Sequence, residues 1–214
     1  MVGWSLHART IWQSWNGAAV RRLGQVFTHP RLLRPDVCVD NISSIDIAAL
    51  HRRGIRAVVL DKDNTITAPY SDQVHHAAAS GLTRIRETFT NTNAVSILSN
   101  SAGTDDDVDH ADALHIESSL GVPVIRHKKK KPDCIDDVLG FINEGRQEES
   151  LPALATEQVA MIGDRLLTDV VFGNLHGMVT IHCQPLSIVN DNPAAKFIRF
   201  VPLHNFSRRA VATC

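Results

Sequence analysis

Two aspartates one residue apart, Asp61 and Asp63, close an apolar run in the segment AVVLDKDNTIT at residues 57–67. Successive side chains of an extended segment point to opposite faces, so Asp61 and Asp63 are expected on one side and Lys62 on the other. Two carboxylates in a small volume repel unless a proton or a cation lies between them. The pair is therefore a candidate for a shared proton or for a divalent metal held by oxygen ligands. The plain alternative is a turn at a strand end, where Asp and Asn form local hydrogen bonds. Further groups able to handle charge follow along the chain: Ser99 with Asn100 after AVSIL, Lys130 and Lys131 in the run KKKKP, and Asp164 with Asp169 in MIGDRLLTD.

The elements that must position these groups are legible as apolar patterns. Residues 57–60, 94–98, 122–125, 159–162 and 179–182 are short apolar runs that fit buried strands. Between them, Val74, Ala78, Leu82, Ile85 and Phe89 recur at helical spacing, with Gly81 as an unfavourable interior residue. Ile135, Val138, Leu139 and Ile142 form the buried side of a later helix, and residues 166–175 form another, with Thr168 and Asp169 in its first turns. Thr104 followed by Asp105, Asp106 and Asp107 reads as a cap and acidic first turn, in preference to a metal cluster. Residues 145–156 read as a polar loop, and a short helix is expected before residue 57, with Ile45, Ile47, Leu50 and Ile55 beginning the core.

Strands alternating with helices give an α/β fold: a three-layer, Rossmann-like core with a central parallel sheet covered on both faces. Sites in such sheets lie at the carboxyl ends of the strands, where Asp61, Ser99, Lys131 and Asp164 all fall. Gly163 is expected to let Asp164 approach closely.

A chain of 214 residues with 43% hydrophobic and 21% charged residues fits one core domain with an appended arm. A net charge of −1 argues against a nucleic-acid partner. Cys38, Cys134, Cys183 and Cys214 lie far apart, with no CxxC pair for a zinc site or disulfide framework, which fits a reducing compartment. The 11 histidines read as solvated or capping residues.

Residues 1–35 differ from the domain at residues 36–214. They carry Arg9, Arg21, Arg22, Arg31 and Arg34, no acidic residue, and all 3 tryptophans. Trp4, Ala8, Ile11, Trp12, Trp15, Ala19, Leu23 and Val26 share one side of a helix, which Pro30 and Pro35 end. No run reaches the roughly 20 apolar residues of a membrane span. Three readings stand: a helix in a membrane interface, a mitochondrial targeting segment, or a helix packed on the domain. A long loop around Pro185 and Pro193 leads to a basic tail at residues 196–209 holding Phe197, Phe200 and Phe206, which docks on the domain or joins the arm.

Asp61, Lys62, Asp63, Asn64 and Thr65 match a DxDx[TV] pattern, and Ser99, Lys131 before Pro132, and Asp164 with Asp169 follow in order. Over roughly residues 55–185 this resembles the haloacid dehalogenase superfamily of phosphotransferases. The resemblance implies a Mg²⁺-dependent phosphatase working through an aspartyl-phosphate. Asp61 is then the nucleophile and a metal ligand, and Asp63 the general acid and base, with its main-chain carbonyl on the metal. Asp164 is the remaining protein ligand. Ser99 and the N–H of Asn100 hold phosphoryl oxygens. Lys131, with Lys130 as substitute, sits beside Asp61 at the entrance of the helix that Pro132 starts and neutralises charge in both nucleophile and transition state. Thr65 fixes the first loop, and Asp169 supports the loop or orients Lys131.

Many relatives that act on small phosphates carry a lid after the first or second motif. Here the residues between Thr65 and Ser99 are used up by one helix and one strand, and those between Ser99 and Lys131 are similarly filled, so no substantial cap is expected. An open site suits a bulky substrate that supplies its own cover. The strings VVLDKDNTIT, RHKKKKPDC and GDRLLTDVVFGN are further similar to the mitochondrial phosphatidylglycerophosphate phosphatases of this superfamily. That resemblance implies a phospholipid substrate, a place on the matrix side of the inner membrane, and an arm resting on an anionic membrane surface. The alternative is a soluble, capless phosphatase acting on a protein or a small phosphomonoester.

Overall fold

The computed structural model describes residue 26 and residues 28–187. The tryptophan-bearing stripe before Val26, most of the loop after Pro185 and the basic tail lie outside the described residues. Five strands, β1 (Val37–Val39), β2 (Ala57–Leu60), β3 (Val95–Ile97), β4 (Val159–Gly163) and β5 (Val179–Cys183), form one sheet in the order β1-β5-β4-β2-β3. Every neighbouring pair is parallel. The helices are α1 (Ile47–Arg52), α2 (His76–Thr88), α3 (Ala111–Leu120), α4 (Ile135–Glu148) and α5 (Val171–Leu175).

The alternation of side chains along the central strands separates two cores, which makes the fold three-layered. Val58 and Leu60 of β2, with Ala160 and Ile162 of β4, pack with Leu50, Leu82, Ile85 and Ile116 from α1, α2 and α3. Ala57 and Val59, with Val159 and Met161, face Val138 and Ile142 of α4 and Phe172 of α5. Both faces of β2 and β4 are thus removed from water, which is why these strands read as unbroken apolar runs. Ile45, Ile47, Leu50 and Ile55 are all in the core as expected. Val26 and Leu33 pack on Leu167 and Val171, so the end of the basic N-terminal segment meets the domain beside α5. Among the described residues no helix is long and apolar enough to cross a membrane, and no inserted domain separates the motifs.

Several elements differ from the sequence expectation. β1 was not expected: it is three half-buried residues, too short for alternation to show, and pairs only with β5. Residues 122–125 form a single bridge, Ile97 to Val124, instead of a full strand. The helix expected after Thr104 begins only at Ala111, because Asp109 and His110 adopt left-handed conformations that break the helical path. Asp107 is buried and accepts hydrogen bonds from the N–H groups of Gly103, Asp112 and Ala113, so it caps α3 from outside it. α4 starts at Ile135, past Pro132, and continues to Glu148, so the expected loop from residue 145 is shorter. Cys38 is disulfide-bonded, a link the cysteine spacing did not lead one to expect, while Cys134 and Cys183 are buried free thiols.

Candidate active site

The register Leu60 opposite Ile162 brings the ends of β2 and β4 side by side, and the N–H of Asp61 donates to the Ile162 carbonyl at 2.8 Å. Asp61 and Asp164 therefore leave the sheet at one place. The chain then turns sharply. The Lys62 carbonyl accepts from the N–H groups of Thr65, Ile66 and Thr67, and Asn64, at φ 63°, donates to the Thr67 carbonyl at 2.8 Å. Asn64 also fastens this loop to the end of the described chain, its Oδ1 accepting from the Ser187 N–H at 3.0 Å.

Strand alternation stops at Leu60, so Lys62 does not point away from Asp63 as expected. Its ammonium is tucked in, 3.0 Å from Asp63 Oδ1 and 2.8 Å from the Ser71 carbonyl. Asp63 is one-third exposed at its side chain, 33%, and is not in the tight carboxylate cluster. That cluster is Asp61, Asp164 and Asp169, each offering an oxygen within 4.8 Å of the others, and all three are buried. The nucleophile candidate is also less open than the absence of a cap suggests, Asp61 being 3% exposed.

Lys131, wholly buried, bridges the cluster: Nζ donates to Asp61 Oδ1 at 2.7 Å and to Asp169 Oδ1 at 2.6 Å. Burial alone raises the Asp61 carboxyl. The charges of Lys131, Arg165 and Lys62 outweigh it and hold the group below the ordinary aspartate value. Burial pulls the Lys131 ammonium down, but Asp169 and Asp61 overcome this and keep it charged. Asp169 is pushed up by burial and by the Asp61 charge, against the attraction of Lys131.

Asp169 is tied to the backbone of its own loop. Its second oxygen accepts from the Arg165 N–H at 3.1 Å, while its own N–H donates to the Arg165 carbonyl at 2.9 Å. Gly163 makes room for this residue: a Cβ there would run into the Asp169 carboxylate.

Ser99 is buried, and its hydroxyl accepts from the N–H of Ser101 at 3.2 Å. Asn100 Oδ1 accepts from the Lys131 N–H at 3.1 Å, tying the Ser99 loop to the lysine loop. The Lys130 ammonium pairs with Asp106 at 2.8 Å. The Thr65 hydroxyl is buried and finds no hydrogen-bond partner among the described residues, so the first loop is held by its backbone and not by this side chain.

Sequence reasoning missed two residues. His127, expected with the other histidines to be solvated or capping, is buried and bridges two loops, with Nε2 2.7 Å from the Ser99 carbonyl and Nδ1 2.6 Å from that of Lys129. Burial pushes its imidazole below the ordinary value. Arg165 lies against the cluster, NH2 3.8 Å from Asp61 Oδ2 and Nε 3.6 Å from Asp164 Oδ1. Its only signal is its position, next to Asp164 at a strand end.

The donor set suits a hard divalent cation. It consists of carboxylate oxygens, and Asp61 Oδ2 is buried without a hydrogen bond. Both oxygens of Asp169 are engaged by Lys131 and by the Arg165 N–H, and Asp61 and Asp164 could hold it.

Residues 18–186 match the family model described as mitochondrial PGP phosphatase. The chain is 33% identical over 178 residues to the mitochondrial phosphatidylglycerophosphatase GEP4 of Saccharomyces cerevisiae, covering 83% of this chain and 91% of that protein. It is 36% identical to the chloroplastic phosphatidylglycerophosphate phosphatase 1 of Chlamydomonas reinhardtii, covering 83% of this chain and 62% of the relative. To the chloroplastic/mitochondrial phosphatidylglycerophosphate phosphatase 1 of Arabidopsis thaliana it is 35% identical, covering 79% of this chain and 46% of the relative. Spanning its catalytic-domain candidates from Asp61 to Asp169, these matches show that the chain belongs to the mitochondrial PGP phosphatase family.

Proposed function

We propose that the chain is a Mg²⁺-dependent phosphatase that converts phosphatidylglycerophosphate to phosphatidylglycerol, on the route to cardiolipin, through an aspartyl-phosphate on Asp61. The observation that carries the reading is the state of the Asp61 carboxylate. One oxygen is fixed by Lys131 at 2.7 Å, the other is buried and unbonded, and the group is held in its charged form. A carboxylate kept ionised and immobile beside cations is equipped to attack an anionic phosphoryl group. The relatives' names supply the substrate class.

Asp61 and Asp164, with the main-chain carbonyl of Asp63, would hold Mg²⁺, which when bound offsets the negative charge of nucleophile and phosphoryl group. Asp63, partly exposed, is the candidate to protonate the leaving alkoxide and then to activate water. Ser99 and the N–H of Asn100 would steady the phosphoryl oxygens. Lys131 and Asp169 keep the nucleophile in place, and the Thr65 backbone helps close its loop. Residues 1–35 would bring the domain at 36–214 to an anionic membrane surface, on the matrix side of the inner membrane.

The test is phosphate release from phosphatidylglycerophosphate, glycerophosphate and p-nitrophenyl phosphate, each with Mg²⁺ and with EDTA. A strong preference for the lipid that EDTA abolishes is expected. Equal turnover of all three would favour a general capless phosphatase instead.

A further inference from the structure

Three cations act on Asp61, and two of them are already occupied. Lys131 is fully buried, with its ammonium on Asp61 and Asp169, and Lys62 is nearly so, with its ammonium on Asp63 and the Ser71 carbonyl. Arg165 differs on each point. Its side chain is 19% exposed, and its guanidinium makes no hydrogen bond among the described residues. The contacts to Asp61 Oδ2 at 3.8 Å and to Asp164 Oδ1 at 3.6 Å are charge contacts beyond hydrogen-bond length. Nε is buried without an acceptor, an arrangement that is costly unless an acceptor arrives. The backbone beneath is fixed, by contrast, through the reciprocal hydrogen bonds with Asp169.

We infer that Arg165 is a substrate-contacting residue whose guanidinium takes oxygens of the phosphoryl group presented to Asp61. A planar fork of donors matches a phosphate better than a buried ammonium spent on two carboxylates does. The inference rests on the reading of Asp61 as the attacked-phosphate site. It assigns the first contact with an incoming anion to the residue of the cluster that reaches solvent.

The test compares wild type, Arg165→Gln and Arg165→Lys in Mg²⁺ buffer. Titration calorimetry with inorganic phosphate is paired with kcat and KM on p-nitrophenyl phosphate and with thermal unfolding. Arg165→Gln is expected to raise the phosphate Kd and KM together by about tenfold or more, the scale of a lost charged hydrogen bond, with Arg165→Lys in between. Unchanged phosphate Kd and KM in both folded variants would overturn the inference, and so would a shift confined to the unfolding temperature, which marks a merely charge-balancing arginine. Wild type that neither binds phosphate nor hydrolyses either p-nitrophenyl phosphate or the lipid would instead remove the functional reading, and this inference with it.

Discussion

Lys131 joins Asp61 to Asp169 in an ion-paired triad, its ammonium 2.7 Å from one carboxylate and 2.6 Å from the other, with no part of the lysine reaching solvent. Removing one partner of a buried pair strands charge in a poorly solvated place and costs about 3–5 kcal/mol. Lys131→Met leaves two such carboxylates facing each other. Denaturant unfolding should show a loss of about that size, together with loss of phosphatase activity. Asp61→Asn leaves Lys131 paired with Asp169 and should destabilise less. Equal stability of Lys131→Met and wild type would contradict the geometry.

The neighbouring lysine is expected to behave differently. Lys130 meets Asp106 at the surface, with side chains 20% and 55% exposed, and exposed pairs contribute about 0–1 kcal/mol. Lys130→Ala should retain most of the wild-type turnover and stability. A collapse of kcat comparable to that of Lys131→Met would mean that Lys130 reaches the phosphoryl group after all.

Gly163→Ala is a small change placed where the Asp169 carboxylate lies against the backbone. Overpacking of this kind costs about 1–3 kcal/mol. Because Asp169 also holds Lys131 and the Arg165 backbone, kcat should fall along with the melting temperature. An active, fully stable variant would show that Asp169 has room to move.

At Gly81 the structure reverses the expectation from helix propensity. An exposed helical Gly→Ala change stabilises by about 0.5–1 kcal/mol. Here a Cβ would strike the Ile42 and Ser43 backbone, and the Gly81 N–H donates to Ser43 Oγ at 2.9 Å. Gly81→Ala should therefore destabilise while leaving KM unchanged in the folded fraction, as read by thermal unfolding and steady-state kinetics.

These positions also show what a one-dimensional reading can and cannot reach. Ala57–Leu60 and Val159–Gly163 were legible because strands buried on both faces read as continuous apolar runs. The gathering of Asp61, Lys131 and Asp164 followed from the rule that parallel sheets assemble sites at their carboxyl ends. The inward Lys62 was missed because alternation holds only while the chain stays extended, and here it turns at Lys62 itself, two residues past Leu60. The start of α3 was misplaced because an acidic run after a threonine resembles a first turn. The left-handed Asp109 and His110 that delay it carry no composition signal. Arg165 and His127 act through contacts made across the fold, which spacing along the chain does not encode.

The most direct measurement is Mg²⁺-dependent phosphate release from phosphatidylglycerophosphate by wild type and Asp61→Asn, each checked for folding by circular dichroism. The account predicts release by wild type that EDTA abolishes, and none above background from the folded variant. Release by Asp61→Asn at the wild-type rate would contradict it.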